Sequence, residues 1–103
     1  MCRLSGSSFA TNLIVAADDF VVVEGRELLK AYESSPAKHR HFCGSCGSPI
    51  FSQADAMKSI VSVRAGTVEG DPGVRPSVHA YVATRAPWYD ICDGLPQKPE
   101  SFT

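Results

Sequence analysis

The segment His41-Phe42-Cys43-Gly44-Ser45-Cys46-Gly47-Ser48-Pro49-Ile50-Phe51 decides how the chain folds. Two thiols three positions apart, set among small residues and running into an apolar stretch, form a knuckle that supplies two of the four Cys or His ligands of a structural zinc site. A knuckle of this kind sits at the tip of a β-ribbon, so residues 38–42 are expected as its outgoing strand and residues 50–53 as its return. Gly44 and Gly47 permit a tight fold and are expected to leave backbone N–H groups free for the thiolate sulfurs. The competing use of a Cys-x-x-Cys pair is a redox disulfide, which needs its first thiol at a helix N-terminus. Here the second cysteine leads into a strand pattern, so metal is the favoured reading; two buried free thiols are the plain alternative.

The other half of a zinc site is harder to find. Only Cys2, Cys92, His39, His41 and His79 remain as soft ligands. Strand alternation puts His39 and His41 on the face of Cys43, either as auxiliary ligands or as solvated histidines. Cys2 precedes a Gly/Ser-rich loop and cannot hold a metal alone, and Cys92 has no ligand-like neighbour.

Charge and composition exclude several function classes. Ten basic and eleven acidic side chains balance to a formal net charge of -1 with no Lys/Arg run, which argues against a nucleic-acid surface. No apolar run approaches the ~20 residues that span a bilayer. The first residues lack the apolar core of a secretory leader, so a reducing, cytoplasmic setting is expected, in which cysteines read as ligands or free thiols before disulfides. A chain of 103 residues is expected to form a single domain over residues 1–103. At that size it buries only about 65% of its unfolded surface, so a metal or a partner subunit would matter for stability.

Around the knuckle the pattern is of short strands separated by turn residues. Residues 9–15 and 20–24 are rich in β-branched and aromatic side chains, with a turn at 16–19. Residues 28–32 follow, with one or two helical turns over 26–33 as the alternative, and Ser34-Ser35-Pro36 makes a bend before residue 38. Ile60–Arg64 reads as a further strand, residues 66–73 as a polar loop, and residues 77–83 as a strand with Val78, Ala80 and Val82 on one face. The tail from Gly94 holds two prolines and is expected to lie over the surface. The class is mostly β.

Three further residues are candidates for a pocket. His79, beside Tyr81, suits acid/base work or hydrogen bonding in a cleft, or is a structural histidine. Arg64 suits bidentate capture of a carboxylate, or a surface salt bridge. Trp88, next to Pro87, is a large apolar group of the kind that most often simply packs.

Taken together, Cys2-Arg3 with Ser5-Gly6-Ser7-Ser8-Phe9, Ser34-Ser35-Pro36, Arg40 through Phe51, Arg64-Ala65-Gly66, Pro76-Ser77-Val78-His79, Ala86-Pro87-Trp88 and Asp93-Gly94-Leu95-Pro96 resemble the glutathione-dependent formaldehyde-activating enzyme family, which includes centromere protein V. The resemblance implies a β-tent of packed antiparallel sheets with a zinc-knuckle hairpin and two zinc sites. The structural site joins an N-terminal Cys-x-Cys pair to a later Cys-x-x-Cys, here Cys43 and Cys46. The catalytic site takes three cysteines of a Cys-x-Cys-x-x-Cys motif, of which Cys2 corresponds to the last. Its open fourth position is thought to receive the thiolate of glutathione, to which formaldehyde adds.

Read this way, the chain matches the family domain without its N-terminal strand and first cysteine motifs, either as part of a longer product or as a short form that has lost metal. The expected function is a zinc-dependent carbon-sulfur lyase acting on a glutathione-aldehyde adduct, impaired in a chain with one catalytic thiol. Metal ligands are Cys2, Cys43 and Cys46; Cys2, His79, Arg64 and Trp88 are the catalytic and pocket candidates. The alternative is a non-catalytic β-module, metal-stabilised or dimeric, that binds a protein partner through a sheet edge. A homodimer would bring two Cys43–Cys46 pairs into one four-thiolate site.

Overall fold

In the computed structural model, which describes residues 6–101, five strands form one antiparallel sheet: β1 (Asn12–Ala16), β2 (Leu29–Ser35), β3 (Lys38–Cys43), β4 (Pro49–Ala54) and β5 (Ile60–Arg64), in the order β1-β5-β4-β3-β2. The mostly β class expected from the sequence is what forms, and among the described residues the only helical pieces are three-residue 3-10 turns. β2 to β5 run as a meander, and β1 adds antiparallel to β5. The described chain divides into two compact units, residues 11–72, which hold the whole sheet, and residues 73–101 with 6–10.

Register gives the sheet two different faces. Leu13 and Val15 lie opposite Val63 and Val61, Phe51 opposite Val63, His41 opposite Phe51, and Ala31 opposite His41. This is the core side of the unit, with Val61 4% exposed and Val63 9%. Period-two alternation in β5 places these valines inward and Ser62 and Arg64 on the other face.

The link from β1 to β2 joins the two outer strands across that core face. Residues 20–24 were expected as a strand and are not one, although Phe20 and Val22 are half-buried while Val21 and Val23 are exposed. Their alternation records an extended chain lying over a sheet: Phe20 meets Phe51 at a ring separation of 4.7 Å, where no strand edge is available to pair with its backbone.

The expected bend before residue 38 is the hairpin loop Pro36-Ala37 between β2 and β3. Proline fixes the first loop position, and Ala37 takes a left-handed φ of 63° where glycine is usual. That conformation costs an L-residue about 1–2 kcal/mol. Ala37→Gly is therefore expected to stabilise the protein by about 0.5–1 kcal/mol after the added freedom of the unfolded chain is offset, measurable as a higher urea midpoint at unchanged slope.

In the second unit, residues 77–83 do not form the expected strand. His79 makes a single parallel bridge with Gln97, Tyr81 turns to a left-handed φ of 57°, and Val82–Thr84 is a 3-10 turn. The partner is the tail, which donates Lys98 N–H to the His79 carbonyl and accepts from His79, Tyr81, Val82 and Ala83 at 2.6–3.2 Å. Pro96 and Pro99 have no N–H to return, so a ladder cannot propagate.

Candidate functional site

The knuckle closes the β3–β4 hairpin. Cys43 N–H donates to the Ser48 carbonyl at 2.9 Å and Gly47 N–H to the Cys43 carbonyl at 2.7 Å. Gly47 has a φ of 81°. Gly44 N–H donates to the Leu28 carbonyl at 2.7 Å, tying the knuckle to the start of β2. The two glycine amides are thus engaged with carbonyls and are not free for the sulfurs as expected. The Ser48 hydroxyl meets a sulfur instead, accepting from the Cys46 thiol at 3.2 Å. The Ser48 hydroxyl, the Ser48 backbone N–H and the Cys43 thiol, in that order, lower the Cys46 pKa below the ordinary thiol value.

A β-carbon on Gly44 would fall 2.9 Å from the Leu28 carbonyl oxygen and 2.9 Å from Cε of Lys30. The lysine stem can move, but the backbone carbonyl cannot without loosening β2. Gly44→Ala is expected to destabilise by about 1–3 kcal/mol, read from chemical denaturation.

As donors, Cys43 and Cys46 fit a soft metal: two thiols at one loop, the second biased toward thiolate. They are two ligands short of a structural zinc site, and no group of three or more His, Cys, Asp or Glu suited to a metal occurs among the described residues. His39 and His41 share the register face of Cys43 but are otherwise occupied. His41 stacks on Phe51 at 4.2 Å with 9° between planes, and burial, followed by the charge of His39, lowers its pKa. His39 Nε2 lies 3.4 Å from the Asp55 carboxylate and 4.0 Å from Glu33. Cys2 lies outside the described residues, as do Arg3 and Ser5, and Cys92 is an exposed free thiol.

Beside the knuckle, the core face carries an open cavity of about 510 Å³ lined by Phe20, Val22, Leu29, His41 and Phe51, with Arg26 also at its wall. Leu29 is the register partner of Cys43. Arg64 is not at this cavity; it is on the opposite face of the sheet, in the same electrostatic environment as Lys38 and Arg40.

His79 and Trp88 belong to the second unit. His79 Nε2 lies 2.9 and 3.0 Å from the two oxygens of Asp93, whose Oδ1 also accepts from Leu95 N–H at 3.0 Å. The His79 contact first, then the Leu95 amide, lowers the Asp93 pKa. A carboxylate only accepts, so this contact calls for a proton on Nε2. Trp88 is 67% exposed, so it is not the packed side chain that its position next to Pro87 suggested. Sequence reasoning missed Asp93 as the partner of His79, and Lys38 and Arg40 as companions of Arg64. The Asp93-x-Leu95 turn signal pointed to the first, and even-numbered spacing along β3 to the others.

A family model described as "Glutathione-dependent formaldehyde-activating enzyme" matches residues 1–84 of the 103-residue chain. No match was found among curated proteins or among solved structures. Among the described residues no helix is long and apolar enough to cross a membrane.

Proposed function

The chain belongs to the glutathione-dependent formaldehyde-activating enzyme family, and on that premise we propose that it is a zinc-dependent carbon-sulfur lyase that forms and cleaves the adduct of glutathione with formaldehyde in a cytoplasmic setting. The observation that carries the reading is the match over residues 1–84, which takes in the knuckle, Arg64 and His79.

The reaction is addition of a thiol to a carbonyl. The S–H bond breaks and an S–C bond forms; the carbonyl π pair goes to oxygen, and the thiol proton ends on that oxygen as the hydroxyl. No electrons are gained or lost overall. His79 supports this chemistry, since Asp93 orients its ring and fixes its tautomer, leaving Nδ1 to take the thiol proton and return it to the alkoxide. Zinc, when bound, would supply a Lewis acid that favours the thiolate. Cys2 is the residue of this chain that would hold it at the catalytic position, and Cys43 with Cys46 would hold a structural ion.

The ligand count favours a second reading, a metal-stabilised or dimeric β-module without catalysis. β2, at the edge of the sheet among the described residues, runs beside the knuckle, with Leu29 opposite Cys43. A second copy meeting this edge would supply two more thiols. Exchange spectroscopy on labelled formaldehyde and glutathione separates the two: the first predicts faster adduct exchange with protein, the second no change.

A further inference from the structure

The face of the sheet opposite the valine core gathers three cations. Lys38 and Arg40 alternate along β3, and Arg40 registers with Ser52 of β4, which registers with Ser62, two residues before Arg64 on β5. All three are half-buried. Among the described residues, none of them meets a carboxylate within ion-pair distance. Glu33, which pairs in register with His39, faces the other way and approaches the His39 ring. Arg40 Nε donates to the Ser34 hydroxyl at 2.8 Å, which fixes the plane of the guanidinium.

Like charges held together and partly removed from water are costly unless an anion offsets them. Desolvation, then the charges of Arg40 and Arg64, lowers the Lys38 pKa, which reports that unbalanced field. The face is also reachable: Ile14, opposite Ser62, is 45% exposed, and Tyr32, opposite Arg40, is 56% exposed. Two planar guanidinium forks beside an ammonium suit a small molecule bearing carboxylates better than a single point charge.

We infer that Lys38, Arg40 and Arg64 form a carboxylate-binding site on this face, and that it takes a carboxylate of the glutathione moiety. This rests on the proposed glutathione chemistry for the identity of its ligand. Arg64 and Arg40 hold the carboxylate, and Lys38 contributes charge.

The test is a titration of the full 103-residue chain, followed by backbone amide shifts, with three probes: glutathione, its diethyl ester, which keeps the ammonium but has no carboxylate, and succinate. Glutathione and succinate are expected to shift the amides around Arg40, Ser52, Ser62 and Arg64, and the ester to bind about tenfold or more weakly. Arg64→Gln is expected to weaken glutathione by a similar factor while leaving the spectrum of a folded protein. The ester comparison uses unmodified protein and does not depend on the variant folding. Glutathione binding that shifts other residues, with the ester and Arg64→Gln bound equally well, would overturn the site and leave the family chemistry standing. No glutathione binding at all would overturn both.

Discussion

Replacing Cys43 and Cys46 together by serine is expected to remove the zinc held at the knuckle and so lower the zinc-to-protein ratio, because these two thiols are the ligands that each chain brings to that tetrahedral site. Elemental analysis of the purified protein reads the ratio directly. Structural zinc contributes on the order of 10 kcal/mol in small four-ligand sites. A domain of this size has only about 5–15 kcal/mol in total. Even part of that loss should lower the melting temperature by at least about 10 °C. The knuckle hydrogen bonds from Cys43 N–H and Gly47 N–H are backbone contacts that serine retains, so the loss reports the metal and not the turn. A zinc ratio unchanged in the double variant would place the ion elsewhere. Metal-free wild-type protein with the same melting temperature would deny the knuckle a structural role.

His79→Ala is expected to lower glutathione-dependent turnover by about 100-fold or more, the scale of a positioned general base. Asp93→Asn keeps the ring but replaces an acceptor-only carboxylate by an amide that can also donate, so the tautomer is no longer fixed, and it should cost less than the loss of the imidazole itself. The two substitutions should also be far from additive, since both act on one proton path. Their pH behaviour has a definite sign. Asp93 has a lowered pKa in the fold, so its contribution to stability is present above the ordinary carboxylate value and is lost as pH falls through the lowered one. Asp93→Asn should flatten that acid limb by removing the contribution present at neutral pH, leaving stability in acid little changed. A purely structural histidine would shift melting and acid stability without a selective loss of turnover.

Where each strand ran was legible to different degrees, for physical reasons. Ile60–Arg64 was readable because β-branched residues alternate with polar ones on a central strand, and it forms with those bounds. The ribbon flanking the knuckle was readable because two cysteines and two glycines force a turn between apolar segments; β3 and β4 extend by a residue or two beyond the expected ends. Residues 20–24 and 77–83 show the limit of a period-two pattern. Alternation marks an extended chain, but a strand also needs a neighbour with free donors and acceptors, which the crossing link lacks and a proline-bearing tail cannot provide.

The candidate site was legible in its residue types and less so in its partners. Cys43, Cys46, Arg64 and His79 stood out as chemistry-bearing side chains. What each one meets depends on register and on contacts fourteen residues apart, as for His79 and Asp93, or two strands apart, as for Arg40 and Arg64. Period two did place His39 and His41 on the face of Cys43, but it could not show that Phe51 and Asp55 occupy them.

Family membership makes glutathione-adduct chemistry the central claim, and exchange between free and glutathione-bound formaldehyde tests it most directly. With carbon-labelled formaldehyde, excess glutathione and the 103-residue chain, the exchange rate is expected to rise in proportion to protein concentration and to fall back to the buffer value in His79→Ala. Exchange at the buffer rate at every protein concentration, with or without added zinc, would contradict it.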